Sequence, residues 1–221
     1  MISISWCSMI LDLIYKTQQK IMPMKRRTTM EYRNANINDI YGVSQLQKKY
    51  HISTISEEDK TDGFVTTLFT EEQFKELIEK ENGLAIACDN DKVIAYAMAA
   101  SWDYWSAWPL FQHMINDLPN IQYLGYTLST ENSYQYGPIC IDKQYRGTEV
   151  LPNLFEFSRL QMKDKYPVLI TFINQINGRS YRAHVDKLGL EVIKTFDFNN
   201  NHYYELGYDM RKKTPGANLY K

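Results

Sequence analysis

Apolar positions along the chain follow two different periods. Residues 40–46 place Ile40, Val43 and Leu46 at helical spacing, and Phe74 begins a second segment of this kind. Continuous apolar runs bounded by turn residues are typical of buried strands instead. Such runs predict strands near residues 84–88, 93–100, 139–141 and 168–173. Residues 31–34 resemble a first strand, and residues 190–198 and 202–208 flank an Asn-Asn-Asn turn and are predicted to form a closing hairpin.

Capping residues predict where several helices begin and end. Residues 70–73 read Thr-Glu-Glu-Gln, a capping box that starts a helix, and Gly83 ends it. Pro152 fits the first turn of a helix that runs to about residue 166, and Gly189 ends the last helix. The resulting order β-α-α-β-β-β-α-β-α-β-β predicts a mixed α/β sheet with helices on its faces.

Length and charge narrow the class of protein. With 221 residues and 44% hydrophobic residues, the chain is long and apolar enough for one domain with a sizeable core. We expect this domain over residues 30–210, a non-domain extension at 1–29 and a loose tail at 211–221. An amphipathic arm packed on the domain or a partner is the alternative for 1–29. A net charge of −1 favours neither nucleic acid nor an anionic membrane as a partner.

The cysteines and histidines indicate the compartment and the absence of metal chemistry. Three cysteines without CxxC spacing argue against a disulfide framework and predict a cytoplasmic protein. The four histidines are scattered, so we expect no metal site. Residues 1–15 are apolar but broken by Asp12, which fits neither a secretory signal nor a membrane span.

Residues 136–190 contain the most informative pattern. The strand 139–141 runs into a turn with Arg146 and Gly147, and a helix follows. Unpaired amides and the positive end of a helix dipole form an anion site at such a helix N-terminus. This segment therefore predicts a phosphate-binding turn.

Two motifs in this segment resemble those of the GNAT acetyltransferase superfamily. The first, Q/R-x-x-G-x-G/A, is matched by Gln144 and Gly147, whereas Glu149 stands where Gly or Ala is usual. The second is the family's motif of the fifth strand and fourth helix. It is matched here by Asn177, Arg179, Ser180, Ala183 and His184 and then by Lys187, Leu188 and Gly189, with one extra residue between His184 and Lys187. The resemblance covers roughly residues 31–209. It implies a mixed, mostly antiparallel sheet of about seven strands with about four helices on its faces.

The resemblance also implies acetyl-CoA as the cofactor and a role for each matching residue. Backbone groups of Ile139, Cys140 and Ile141 would pair with the pantetheine arm, and Asn177 would contact that arm or cap its helix. His184 would protonate the leaving thiolate, with Tyr181 one turn earlier as the alternative. The pyrophosphate would be held by the backbone amides from Arg146 through Leu151, among them those of Gly147, Thr148 and Glu149. The charge of Glu149 and the missing N–H of Pro152 both weaken such a site.

An aromatic segment leaves two alternatives open. Trp102, Trp105 and Trp108 lie in residues 102–111 of the long connection 101–133, together with Tyr104 and Phe111. They form either a wall for an apolar or cationic acceptor, or a satellite core or homodimer contact. Asp103, Glu131 and Asp142 are candidates for the general base, and the sequence favours none of them.

These observations lead to one functional hypothesis and two alternatives. We expect an N-acetyltransferase that moves an acetyl group directly from acetyl-CoA to an amine of a small molecule or peptide. The first alternative is a non-catalytic acyl-CoA-binding or sensing module. The second is a cofactor-free interaction domain that dimerises through the tryptophan segment.

Overall fold

Seven strands form the central sheet of the computed structural model, which describes residues 30–58 and 63–219. The sheet order is β1-β2-β3-β6-β7-β9-β8, and β6 and β7 are its parallel pair. The predicted seven-stranded, mostly antiparallel sheet is confirmed. The strands are β1 (Met30–Asn34), β2 (Leu84–Asp89), β3 (Lys92–Ala100), β6 (Ser133–Ile141), β7 (Val168–Asn174), β8 (Glu191–Phe198) and β9 (Asn201–Asp209), while β4 (Gln122–Tyr123) and β5 (Tyr126–Thr127) form a separate hairpin.

Six α-helices are present in the described part of the chain, where the sequence predicted about four on the faces of the sheet. The two short additional ones, α3 and α4, lie in the connection between β3 and β6. The helices are α1 (Ile40–Lys49), α2 (Glu71–Glu76), α3 (Trp102–Trp105), α4 (Pro109–Asp117), α5 (Val150–Met162) and α6 (Gly178–Arg182). Two of them continue into a π-helical turn, α2 at Leu77–Glu81 and α6 at Ala183–Lys187.

The two faces of the sheet bury different side chains. One face carries large residues such as Tyr96 and Met98 and is covered by α1 to α4. The opposite face is lined by small residues, among them Ala95 and Ala97 of β3, and is covered by α5 and α6. Alternation along a strand sends neighbouring side chains to opposite faces, and alanines allow a helix to approach the sheet closely. Helix α5 is therefore seated over β2 and β3.

The tryptophan segment belongs to the core. Trp102 is 1% exposed and Trp105 is fully buried, with its ring 4.7 Å from that of Phe111. Trp102 Nε1 donates a hydrogen bond to Ser133 Oγ at 3.0 Å. Trp108 is half-buried against Phe69, at a centroid distance of 5.8 Å. Of the two alternatives for this segment, the satellite core fits Trp102 and Trp105, whose side chains are covered by protein and do not form an acceptor wall.

The segment after β9 is anchored, unlike the predicted loose tail. Thr214 is 2% exposed, and its hydroxyl donates a hydrogen bond to Glu156 Oε2 at 2.6 Å. Glu156 also pairs with Arg159, which donates to the carbonyl of Met210. The backbone amide of Asn218 then donates to Asn153 Oδ1 on α5. Residues 210–218 therefore pack across α5. The extension predicted at 1–29 lies outside the described residues.

Candidate cofactor and active site

Strands β6 and β7 separate after their first three residue pairs. They pair in parallel only from Ser133–Val168 to Gln135–Ile170. Beyond that point β6 carries one extra residue relative to β3, between Tyr136 and Ile139, and this bulge includes Gly137 at φ 106°. Residues 139–141 then pair with β3 alone among the described strands. The sheet therefore widens at this point, and one edge of β6 is left open to a ligand.

A turn stabilised by α1 joins β6 to α5. Tyr50 OH accepts a hydrogen bond from the amide of Lys143 at 2.7 Å and donates to Asp142 Oδ1 at 3.2 Å. Arg146 lies over the Tyr50 ring, with 4.5 Å from Cζ to the centroid, and its Nε donates to the carbonyl of Ile141. Gly147 follows at φ 81°, a conformation that favours glycine. The turn is therefore fixed by contacts with α1 as well as by its own sequence.

A cavity of about 330 Å³ lies between the open edge of β6, this turn and α6. Its described lining carries four cationic side chains and no carboxylate. Of the nine residues predicted to bind the cofactor, seven line it, whereas Thr148 and Glu149 do not. Both of the latter are exposed, and the Thr148 hydroxyl bonds the carbonyl of Tyr145. The seven are Ile139, Cys140, Ile141, Arg146, Gly147, Leu151 and Asn177.

Two of the backbone amides predicted to hold the pyrophosphate already have partners within the protein. The amide of Arg146 donates to the carbonyl of Lys143 at 3.3 Å, and that of Val150 to Thr148 Oγ1 at 3.3 Å. Gly147 has open space on the side where a Cβ would project. The amides of Arg146 and Val150 are therefore less available to a ligand, whereas Gly147 leaves room for one to approach.

His184 is buried in the cavity wall. It is 5% exposed, and its Nδ1 lies 2.8 Å from the carbonyl oxygen of Ser180. Since a carbonyl only accepts, Nδ1 carries the hydrogen and Nε2 is left as an acceptor. Burial lowers the pKa of His184, and the bond to Ser180 only partly offsets this effect. At neutral pH the ring therefore offers a hydrogen-bond acceptor rather than an acid.

Of the two other candidate site residues at α6, Asn177 lines the cavity and Tyr181 does not. The ring of Tyr181 packs on Tyr204 at a centroid distance of 4.8 Å and does not line the cavity, so it does not share the position of His184. Asn177 caps the helix, and its side-chain oxygen accepts from the Ser180 amide at 3.0 Å. The capping alternative for Asn177 is confirmed, and the same residue also lines the cavity.

The extra residue noted after His184 is accommodated in the π-helical turn of α6. The amide of Leu188 donates to the carbonyl of Ala183, five residues earlier, instead of four. The turn therefore absorbs one residue without changing the position of His184 relative to Asn177.

No evident catalytic group is provided by the candidate general bases Asp103, Glu131 and Asp142, or by Cys140 in the cavity lining. Asp142 is buried and forms a salt bridge with Lys49 at 2.8 Å. Burial is the largest single effect and opposes ionisation, but the bonds from Lys49, the Gln144 amide and Tyr50 together outweigh it and lower the pKa of Asp142. Asp103 and Glu131 are exposed and do not line the cavity. Burial raises the pKa of Cys140 to about 12, so its thiol is not a nucleophile at neutral pH.

Several lining residues were not predicted as site residues. Arg179, Arg182 and Lys187 follow one another along α6, and their spacing within a motif-bearing helix was the available signal. Tyr50 and the segment 63–65 come from a distant part of the chain, and nothing local in the sequence connects them to residue 146. A second cavity of about 430 Å³ adjoins the first and shares Tyr50, Gly63 and Arg146 with it.

Comparison with known structures agrees with this fold. An acetyltransferase of the GNAT family from Streptococcus pneumoniae matches with a TM-score of 0.54 at 12% identity, over 82% of this chain and 99% of that one. The ribosomal-protein-S18-alanine N-acetyltransferase from Escherichia coli matches with a TM-score of 0.53 at 10% identity, over 87% and 100%. The protein yncA from Salmonella typhimurium, solved with its cofactor acetyl-CoA, matches with a TM-score of 0.53 at 11% identity, over 82% and 94%. This protein therefore has the GNAT fold.

Other comparisons add nothing to this assignment. Neither the protein-family models nor the curated proteins include a match to this chain. Within residues 30–58 and 63–219, no helix has the length and apolar character needed to span a membrane. Over the same ranges, no three His, Cys, Asp or Glu side chains come together as metal ligands would.

Proposed function

We propose that this protein is an acetyl-CoA-dependent N-acetyltransferase acting on an amine of a small molecule or peptide. The observation that carries the proposal is the cavity at the point where β6 and β7 separate. There an open strand edge, a glycine turn before α5 and a cationic wall face one space. An extended chain can add to such an edge through backbone hydrogen bonds, and cations favour phosphate groups.

Bound acetyl-CoA would supply an activated acetyl thioester. Residues 139–141 would orient the pantetheine arm, and Gly147, Arg146 and Leu151 would bind the phosphates. His184 Nε2 would accept a hydrogen bond beside the arm. Glu149 is exposed and outside the lining, so its carboxylate does not face the proposed phosphate site and conflicts with it less than the sequence suggests.

Thermal unfolding with and without acetyl-CoA at about 1 mM tests binding. A ligand at about 100 times its Kd stabilises a protein by roughly 2.7 kcal/mol, which raises the Tm by a few degrees for a domain of this size. We expect this rise in the wild type and its loss in Gly147→Trp.

Gly125→Trp provides a matched control. Gly125 has φ 84° and Gly147 has φ 81°, and neither has an atom within 4 Å of the position that a Cβ would take. Both variants therefore carry similar backbone strain, but Gly125 lies in the β4–β5 turn and does not line the cavity. Equal loss of the acetyl-CoA response in both variants, or no response in the wild type, would contradict the proposal.

A non-catalytic acyl-CoA-binding module is the second candidate, and one observation favours it. His184 stands where the resemblance places a proton donor, yet its buried Nε2 is an acceptor. Release of free thiol from acetyl-CoA across a panel of amines separates the two candidates. Binding with amine-dependent thiol release supports the transferase, and binding without release supports the sensing module.

Burial of Trp102 and Trp105 counts against the cofactor-free interaction domain, which would dimerise through the tryptophan segment. Trp108 is half-buried and is the tryptophan of this segment that such a contact would use.

A further inference from the structure

Arg182 and Lys187 form a pair of cations at the rim of the cavity. Both line it, and both are exposed to solvent. Within residues 30–58 and 63–219, neither side chain has a carboxylate within salt-bridge distance. The described lining offers no acidic residue to neutralise them. Their charge is therefore available to a ligand.

Gly178 gives Arg182 room beside the cavity. A Cβ at residue 178 would lie 3.5 Å from Arg182 Nη1, which shows that the guanidinium folds back over the first turn of α6. In the same turn Asn177 and Ser180 line the cavity. The guanidinium thus reaches the cavity from α6 rather than from the turn that contains Gly147.

The cationic side chains of the cavity come from two elements of the fold. Arg146 belongs to the turn before α5, whereas Arg182 and Lys187 belong to α6. A phosphate group bound at the turn alone would leave Arg182 and Lys187 without an acidic partner among the described residues. A ligand with a second phosphate group would engage them. A terminal phosphomonoester carries close to two negative charges at neutral pH and accepts charge-assisted hydrogen bonds from a guanidinium fork and an ammonium group.

We infer that Arg182 and Lys187 recognise the 3′-phosphate of the cofactor and make the protein selective for CoA over 3′-dephospho-CoA. This inference rests on the proposed function, since it assigns a second subsite within the same cavity. It names specificity-determining residues rather than catalytic ones. Because both side chains are exposed, their replacement leaves the core intact.

Isothermal titration with CoA and with 3′-dephospho-CoA tests the inference. We expect the wild type to bind 3′-dephospho-CoA about tenfold more weakly, or worse, because charge-assisted hydrogen bonds are lost. In the double variant Arg182→Ala/Lys187→Ala, the two ligands should bind within about threefold of each other. The control Lys165→Ala/Lys213→Ala removes two exposed charges away from the cavity and should behave as the wild type.

The possible outcomes separate this inference from the proposed function. If the wild type binds both ligands equally, the 3′-phosphate subsite is refuted while cofactor binding stands. If the double variant still prefers CoA by tenfold, other residues recognise the phosphate and the assignment is wrong. If the wild type binds neither ligand, the proposed function fails and this inference fails with it. A preference for CoA that weakens as salt is raised, in the wild type and the control alone, supports the inference further.

Discussion

Glu205 is a carboxyl group held inside the protein, in the middle of β9. It is 2% exposed, and its Oε1 has no hydrogen-bond partner among the described residues. Lys194 lies opposite it on β8 but forms an ion pair with Asp117 of α4. Burial raises the pKa of Glu205 to about 7. The carboxyl therefore changes charge close to neutral pH.

We expect Glu205→Gln to stabilise the protein at alkaline pH. The folded state holds the proton more tightly than the unfolded state, whose pKa is about 4.3. The free energy of unfolding therefore falls as the pH rises from about 4.5 through 7. At pH 8 the variant should exceed the wild type by about 2 to 3 kcal/mol. Denaturant unfolding at pH 5, 6, 7 and 8 measures this difference, and a difference independent of pH would refute it.

His184 makes the free energy of unfolding depend on pH in the opposite direction from Glu205. Its pKa is lowered by burial, so the unfolded chain binds the proton more tightly than the folded protein. The stability that the neutral ring provides is present above the unfolded pKa of about 6.5 and is lost as the pH falls below it. We expect the wild type to lose more stability than His184→Gln between pH 7.5 and 5.5, by at most about 1.4 kcal/mol per pH unit. Parallel unfolding curves for the two proteins would contradict this.

At the scale of elements, the π-helical turn of α6 distinguishes this chain from the motif that it resembles. It absorbs one residue between His184 and Lys187, and the bond from Leu188 to Ala183 spans five residues. The sequence indicated an extra residue there, but not whether the helix would break, bulge or shift. The choice is made by packing, because Leu188 is fully buried below the helix.

Deletion of Asp186 should convert this turn to regular α-helix. Asp186 is exposed, and its removal restores four-residue hydrogen bonding without displacing a buried side chain. We expect a change in the free energy of unfolding within about 1 kcal/mol. Deletion of Gln45, an exposed residue in the regular helix α1, is the matched control. It rotates the buried Leu46 and Gln47 by about 100° and should cost more than about 3 kcal/mol. Equal costs for the two deletions would show that the π turn is not a tolerant site.

For the whole molecule, the connection between β3 and β6 acts as a cover for one half of the sheet. Phe111 of α4 packs on Phe172 of β7 at a centroid distance of 5.6 Å, and Tyr123 lies against Gly207 of β9. Trp105 is central to this layer, yet its Nε1 has no hydrogen-bond partner among the described residues. The ring therefore contributes through packing.

Two substitutions at Trp105 test this structural role. Trp105→Ala should lower the free energy of unfolding by about 3 to 5 kcal/mol, because it leaves a large cavity. Trp105→Phe keeps most of the contact and loses no hydrogen bond, so it should cost less than about 1.5 kcal/mol. The acetyl-CoA response of the Phe variant should equal that of the wild type. A Phe variant that is stable but has an altered KM for an acceptor would restore the acceptor-wall interpretation.

The sequence predicted those parts of the molecule that depend on local pattern. The order of helices and strands along the chain, the capping box at Thr70 and the turn at Gly147 follow from residues close to one another in the chain. The burial of Trp102 and Trp105 could not be predicted, because aromatic residues suit a core and a ligand wall equally well. Nor could the contact of Tyr50 with Arg146, which joins segments almost a hundred residues apart.

The π-helical turn also has a consequence for comparing this chain with others. An alignment that forbids gaps inside helices would match residues 177–184 to their equivalents correctly. It would then shift Lys187, Leu188 and Gly189 by one position relative to their equivalents in the other chain. The buried Leu188 would be equated with a solvent-facing position, and the glycine that ends the helix would be missed. A distant relative of this protein is best sought with a one-residue gap allowed after His184.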